Sequence, residues 1–120
     1  MAVIDWQRIT TAADGQHFKL IRWAGLSAGD TAVPYVVAPY SDKTVQFIST
    51  GGSGLTIQGS LDTDLATTDY ETLNDPQGNA LSGVTTDKIE NILEHVYLLR
   101  PSPAAGVSGA TVLLLLASTR

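Results

Sequence analysis

The sequence contains no cysteine, and this absence removes two means of stabilisation at once. Neither a disulfide bond nor a thiolate metal site can form, so burial must stabilise the 120-residue chain. Hydrophobic residues make up 43% of the chain and charged residues only 16%. This composition predicts one folded domain whose surface is rich in uncharged Ser, Thr and Gly.

Basic residues are also scarce. Seven Lys and Arg stand against twelve Asp and Glu, which gives a net charge of −5. Such a chain repels phosphate backbones, so we expect no nucleic-acid partner. The longest apolar run, residues 112–117, is far too short to cross a bilayer. The N-terminus lacks the basic and apolar regions of a signal peptide, so we expect no membrane partner.

Arrangements typical of catalysis are missing as well. His17 and His95 are the only histidines, and neither is spaced with a nucleophile and an orienting group. The Gly-Gly-Ser-Gly run at 51–54 lacks the Lys-Ser/Thr of a nucleotide-binding loop and indicates a turn. The sequence therefore predicts a protein that is not an enzyme and has no cofactor.

One acidic loop deserves comparison with calcium sites. Asp62, Asp64 and Asp69 form a D-x-D-x4-D pattern, but the later bidentate glutamate of a calcium loop is absent. Solvated turn carboxylates are the simpler interpretation, so we expect no metal site.

The chain does contain short β-patterned runs separated by turns. Two alternating runs flank the glycine cluster in residues 45–60, which predicts an antiparallel hairpin. Residues 87–96 fit either a short helix, with Asp87 and Glu90 as a capping pair, or a strand and a loop. Further strands are predicted over residues 17–23, 31–38, 70–73, 80–86, 97–100 and 110–118.

These runs predict an all-β fold, a single jelly-roll-like antiparallel β-sandwich of about eight strands. The sandwich should occupy residues 17–120, and residues 1–16 should form an extended N-terminal arm. Val3, Ile4 and Trp6 are apolar residues in this arm, which is too short to make its own core. They either dock on the domain or reach a neighbouring chain.

The last predicted strand is apolar on both faces. Side chains alternate along a strand, so Val112, Leu114 and Leu116 share one face. We expect them to face the core, and we expect Leu113 and Leu115 to contact another subunit, because an exposed apolar row usually marks an interface. The alternative is that the arm or residues 87–96 cover the outer face.

Aromatic residues offer a second kind of surface. In β domains they are more often core or interface anchors than a sugar-stacking platform, which would need coplanar exposed rings. The candidates are Trp6, Trp23, Tyr35, Tyr40, Tyr70 and Tyr97.

Residues 44–118 contain a series of short turn and strand motifs, each of which occurs once. They are TIQGS at 56–60 followed by Asp62, YETL at 70–73, DPQGNAL at 75–81, KIE at 88–90, LRP at 99–101, and Gly109 before the last strand. In these motifs the chain resembles a family of small virion structural proteins of tailed bacteriophages. It departs from that family's pattern at Leu61 and Thr63, where a polar residue and a glycine are common.

The resemblance is to capsid decoration, or cement, proteins with a jelly-roll fold. It implies a protein made in the host cytoplasm that binds the outer capsid surface between capsomers and stabilises the shell. The implied partners are the major capsid protein and further copies of the chain in a homotrimer. With such partners, we expect Val3, Ile4 and Trp6 of the N-terminal arm to attach the protein to the capsid. Two alternatives stay open: another head–tail or tail structural protein of a phage, and a carbohydrate-binding β-sandwich module.

Overall fold

A computed structural model describes residues 2–9 and 18–118. Within these two ranges the chain forms eleven β-strands and no helix. The described residues therefore contain no helix long and apolar enough to cross a membrane. The strands are β1 (Val3–Ile4), β2 (Gln7–Ile9), β3 (Phe18–Leu26), β4 (Thr31–Ala32), β5 (Tyr35–Val36), β6 (Asp42–Ile48), β7 (Leu55–Ser60), β8 (Glu71–Thr72), β9 (Lys88–Asn91), β10 (Leu98–Pro103) and β11 (Ala110–Ala117).

Two antiparallel sheets contain nine of these strands. The five-stranded sheet has the order β2-β3-β11-β6-β9, and the four-stranded sheet has the order β5-β10-β7-β8. The remaining strands, β1 and β4, form a short parallel pair. The prediction of an all-β fold is confirmed, and the arrangement is β-sandwich-like. The described residues contain more strands than the predicted eight. β1 and β2 form in the predicted arm, the run 31–38 divides into β4 and β5, and β9 forms in the segment for which a helix was the alternative.

Both larger sheets contribute side chains to one core. The largest buried side chain is Trp23, whose indole N–H donates a 2.8 Å hydrogen bond to the carbonyl of Val33. This bond satisfies the polar atom that a buried tryptophan brings with it. The fully buried strand residues include Ile21, Trp23, Val45, Phe47, Val112, Leu114 and Leu116 from the five-stranded sheet, and Leu55, Ile57 and Leu99 from the four-stranded sheet.

The predicted hairpin over residues 45–60 is wrong. Its two runs are real strands, but β6 pairs with β11 and β9, whereas β7 pairs with β10 and β8. The glycine cluster therefore carries the chain from one sheet to the other. Alternation reports which way side chains point and not which strand is the neighbour.

Prolines affect the bounds of two predicted strands, one of which is interrupted and the other longer than predicted. The predicted run 31–38 is interrupted at Val33 and Pro34, which separate β4 from β5. Pro101 lies inside β10 instead of ending it, and Pro103 is the last residue of the strand. They are tolerated because β5 pairs only with Leu98 and Leu99, so the rest of β10 has a sheet partner on one side only.

The structure also decides between the alternatives for residues 87–96 and tests the predicted strand over residues 80–86. Residues 87–96 contain the strand β9 and a loop, and the helix alternative is excluded for this segment. The predicted strand over residues 80–86 is wrong, because only the isolated bridges at Ala80 and Val84 form there. Serines, glycines and threonines in this segment leave too few apolar side chains to support a longer strand.

The described part of the predicted arm lies along the domain. β1 pairs in parallel with β4, and β2 pairs antiparallel with β3. Ile4 and Trp6 pack against the core, whereas Val3 is 73% exposed. Docking, the first alternative, is therefore what the chain adopts in residues 2–9. The predicted turn that ends the arm, and His17, lie outside the described residues.

Candidate interaction surface

The strand β11 has the two faces that the sequence predicts. Val112, Leu114 and Leu116 are fully buried, which confirms that this row faces the core. On the opposite face Leu113 is half-buried and Leu115 is 40% exposed. A central strand of the five-stranded sheet thus presents leucines to the outside.

Neighbouring strands extend this apolar row. In the sheet register Leu115 lies opposite Leu20 of β3, and Leu113 lies opposite Gln46 of β6, which in turn pairs with Ile89 of β9. A shallow groove of about 290 Å³ is lined mainly by these apolar side chains. We call Leu20, Ile89, Leu113 and Leu115 the outer apolar face.

Polar side chains surround this face. Arg22 donates two hydrogen bonds, of 3.2 and 2.7 Å, to the side-chain oxygen of Gln7. At the opposite edge of the sheet the hydroxyl of Thr44 donates to Asn91 at 2.9 Å. An apolar centre with a hydrogen-bonded polar rim is the anatomy of a protein–protein interface.

Neither segment proposed to cover the outer face does so in the described residues. β2 lies at one edge of the sheet beside β3, and β9 lies at the other edge beside β6. Ile89 itself is 62% exposed. Leu113 and Leu115 are therefore positioned for contact with another molecule, and their role at a subunit interface stays a prediction. The attachment role of Val3, Ile4 and Trp6 also stays a prediction.

Three of the six aromatic candidates lie together. Trp6, Tyr35 and Tyr40 all pack their inner edges against the core. The rings of Trp6 and Tyr35 have centroids 4.8 Å apart at an angle of 87°. This geometry is an edge-to-face corner and not the coplanar platform that the sequence interpretation required. Trp23 is in the core, and the ring of Tyr70 lies 3.8 Å from the Arg100 guanidinium.

The acidic loop forms turns. The side chain of Asp62 accepts a hydrogen bond from the backbone N–H of Asp64, which also holds the pKa of Asp62 below its ordinary value. Asp64 in turn accepts from the N–H of Ala66. In the part of the chain that the structure describes, no cluster of three or more acidic or histidine side chains is arranged to hold a metal.

The side chain of His95 contacts the backbone. Its Nε2 is 2.8 Å from the carbonyl oxygen of Ala38, and the contact is exposed. In the described part of the chain this is the hydrogen bond that the imidazole makes, and its partner is a backbone carbonyl instead of the nucleophile or orienting side chain that acid–base catalysis uses.

The sequence interpretation missed Lys43. Its side chain is 3% exposed because it is in phase with Val45 and Phe47 on the inner face of β6. Burial lowers the pKa of Lys43, and the charges of Asp42 and Glu94 act in the opposite direction. The burial of Lys43 could have been predicted from the sequence, because the period-two spacing places position 43 on the same strand face as positions 45 and 47.

The chain matches no protein-family model, and no curated protein is significantly similar to it. Function must therefore be inferred from the surfaces described above.

Proposed function

We propose that the protein is a structural virion protein, a capsid decoration protein of a tailed bacteriophage. It assembles through the outer apolar face, as a homotrimer, and binds the outer capsid surface between capsomers. The observation that carries this proposal is the outer apolar face, an uncovered row of leucines at the centre of a sheet. In a protein that self-associates in a shell, such a face is buried by a neighbouring subunit, whereas in a monomer it would stay exposed to water.

The strand order supports a jelly-roll form of the sandwich. When β1, β2 and β4 are set aside, eight strands remain, four in each sheet. Along the chain these eight change sheet at every connection except that from β7 to β8. Eight strands in two sheets linked in this way are typical of jelly rolls, which occur in viral capsid and lectin domains.

The motifs behind the phage resemblance have structural roles that fit a stiff shell component. In the DPQGN motif the buried Asp75 accepts hydrogen bonds from the backbone N–H groups of Gln77 and Asn79, at 3.0 and 2.9 Å. In the TIQGS motif a Cβ at Gly59 would come within 2.9 Å of Val96. These residues fix turns and close packing, and a decoration protein needs rigidity without a cofactor.

The test is binding to capsids assembled without this protein. The wild-type chain should sediment with such capsids and raise the temperature at which they release DNA. Electron cryomicroscopy of the decorated particles should show density between capsomers. Leu115→Asp should lower the occupancy, whereas Thr72→Asp, an exposed change on the other sheet, should leave it unchanged. Wild-type protein that fails to sediment with the capsids, or density on the tail instead, would overturn the proposal.

A further inference from the structure

A recess with an arginine in its wall lies between the docked N-terminal residues and the acidic loop. It has a volume of about 310 Å³ and is lined by Val3, residues 31–34, residues 65–68 and Arg100. This volume is at the lower end of the range for ligand sites, roughly 300–1,000 Å³. Apart from Arg100, the described residues that line it are valine, alanine, proline, leucine and threonine. We call it the Arg100 recess.

The guanidinium of Arg100 is held in a fixed plane. Its Nε–H donates a 3.1 Å hydrogen bond to the side-chain oxygen of Gln58, which lies opposite Arg100 in the register of β10 with β7. Its central carbon lies 3.8 Å from the centre of the Tyr70 ring, which is a cation–π contact. The hydroxyl end of Tyr70 is buried, and this burial fixes the ring on which the guanidinium lies. A ligand therefore does not have to order the arginine, which lowers the entropic cost of binding.

This guanidinium has no acidic partner among the described residues. An arginine has five N–H donors, and the bond to Gln58 uses one of them. No carboxylate oxygen of residues 2–9 or 18–118 lies within 4.0 Å of Arg100, although the chain has twelve acidic residues against seven basic ones. The two terminal amino groups are therefore available to a bound molecule, and their geometry matches the two oxygens of a carboxylate.

The charge of Arg100 selects the class of ligand. A molecule that fills the recess displaces water from the guanidinium, and a desolvated charge without a counter-charge is costly, so neutral and cationic ligands are disfavoured. A doubly charged phosphate is opposed by the net charge of −5 and by Asp62, whose charge acts on the neighbouring Tyr70. A carboxylate has one negative charge and accepts two parallel hydrogen bonds from a guanidinium, so it fits the recess best.

Apolar side chains beside Arg100 indicate a protein as the source of the carboxylate. Val3 and Leu65 both line the recess, and they are 73% and 60% exposed. A protein surface that inserts a carboxylate into the recess would also cover these two side chains, and burial of apolar surface favours association. Arginine is among the residue types that contribute most to binding at protein interfaces.

We propose that the Arg100 recess holds an acidic side chain, Asp or Glu, of a partner protein, and that an apolar neighbour of that residue packs against Val3 and Leu65. The identity of the partner rests on the function proposed above, in which it is the capsid surface. The chemistry of recognition does not rest on it, because it follows from the guanidinium and the apolar walls of the recess.

The first experiment measures the recess by itself. The probe is isocaproate, a carboxylate with a branched apolar group, and it is titrated into the full chain. NMR follows the Nε–H resonance of Arg100 and the methyl resonances of Val3. We expect both to shift along one saturating curve with millimolar affinity. The neutral isostere isocaproamide should cause no saturating shift at Arg100, and inorganic phosphate should bind more weakly than isocaproate.

Arg100→Lys keeps the positive charge but removes the paired donors. It should weaken isocaproate binding at least about tenfold, as expected when one charge-assisted hydrogen bond is lost. The matched control is Arg22→Lys on the five-stranded sheet, where the guanidinium bonds to Gln7, and it should bind as the wild type does. Thermal melts show that both variants are folded. A shift that does not saturate, equal binding of the amide, tighter binding of phosphate, or unchanged binding by folded Arg100→Lys would each overturn the proposal.

The second experiment tests the partner with capsids assembled without this protein. Arg100→Gln and Lys88→Gln each remove one positive charge, but only Arg100→Gln should lower the occupancy of capsids in sedimentation. If folded Arg100→Gln occupies capsids as the wild type does, the capsid is not the acidic partner and the proposal is wrong. If the wild type binds isocaproate through Arg100 but binds no capsid, the carboxylate site is supported and the function proposed above is contradicted.

Discussion

At the scale of single residues, Gly52 has the strictest steric requirement in the connection between the sheets. Its φ is +53°, and a Cβ added there would lie 2.4 Å from the carbonyl carbon of Gly106. A side chain must therefore displace backbone. We predict that Gly52→Ala lowers the free energy of unfolding by about 2 kcal/mol or more, since backbone strain and overpacking each cost about 1–3 kcal/mol.

The adjacent glycine provides the control. A Cβ at Gly51 meets no atom within 4 Å. Gly51→Ala should therefore change the stability by less than about 0.5 kcal/mol. Urea unfolding of both variants measures the difference, and equal midpoints would contradict the close approach of Gly52 to Gly106.

Asp87 gives the fold a dependence on pH. Its carboxylate accepts hydrogen bonds from the backbone N–H groups of Thr50 and Ser49, both at 3.1 Å. The hydrogen bond from the Thr50 N–H, followed by that from the Ser49 N–H, lowers the pKa of Asp87 below its ordinary value in the folded state, whereas burial acts in the opposite direction. A lowered pKa contributes stability that is present above the unfolded value and is lost as the pH falls through the folded value.

We therefore predict that Asp87→Asn melts at a lower temperature than the wild type at pH 7. The gap should narrow as the pH falls below about 4, where the wild-type carboxyl takes up its proton. Melting curves from pH 7 to pH 2 measure this, with Asp69→Asn as a change of the same chemistry elsewhere. A gap that stays constant over this range would show that the ionised carboxylate of Asp87 does not stabilise the fold.

The same residue explains one ambiguity of the sequence. Asp87 and Glu90 have the spacing of a helix cap, and that spacing made a short helix plausible. In the structure Asp87 instead caps the backbone at Ser49, whose φ is +58°. The two partners are 38 residues apart, and local sequence patterns contain no information about such a contact.

At the scale of strands, the long alternating runs were located, and the short strands were located in part: β8 lies in the predicted run 70–73 and β4 and β5 lie in the run 31–38, whereas β1 and β2 were not predicted. The runs that became β3, β6, β7 and β11 are visible because at least five consecutive residues alternate between buried and less buried positions. Two-residue strands carry no period. The prediction of which strands pair with each other failed more seriously. β6 and β7 both pair with strands that are distant in the sequence, and alternation does not identify such partners.

The two faces of β11 lead to opposite mutational outcomes. Leu114 is fully buried among core side chains, so Leu114→Asp would place an unpaired charge there and should prevent folding. Leu115 is 40% exposed on the outer apolar face, so Leu115→Asp should yield a folded chain. Circular dichroism and urea unfolding distinguish these results. A folded Leu114→Asp variant would show that the inward row of β11 is wrongly assigned.

At the scale of the whole molecule, the two surfaces differed in how far the sequence could indicate them. The part of the outer apolar face on β11 was predictable, because Leu113 and Leu115 alternate with the core row of one strand, whereas Leu20 and Ile89 come from β3 and β9. The corner formed by Trp6 and Tyr35 was not, because Trp6 lies between β1 and β2 whereas Tyr35 lies in β5. Their proximity depends on β2 pairing with β3 and on the docking of the N-terminal residues, which only the fold reveals.

The outer apolar face leads to a prediction about mass. We expect the wild-type chain to be an oligomer at micromolar concentration, because the outer apolar face lies at the centre of a five-stranded sheet that can contact another subunit. A stable interface of this kind buries about 800 Å² or more per partner. Leu115→Asp and Leu113→Asp should be folded monomers, because each would bury a charge against an apolar partner surface. Thr72→Asp, on the four-stranded sheet, should keep the wild-type mass.

Light scattering coupled to size-exclusion chromatography measures all four proteins. A trimeric mass for the wild type with monomeric Leu115→Asp would support assembly through the outer apolar face. A wild-type monomer would mean that this face does not join copies of the chain, and the capsid itself would then have to cover it. An oligomer that survives both leucine substitutions would mean that a different surface, with the exposed Val3 of β1 as the first candidate, holds the subunits together.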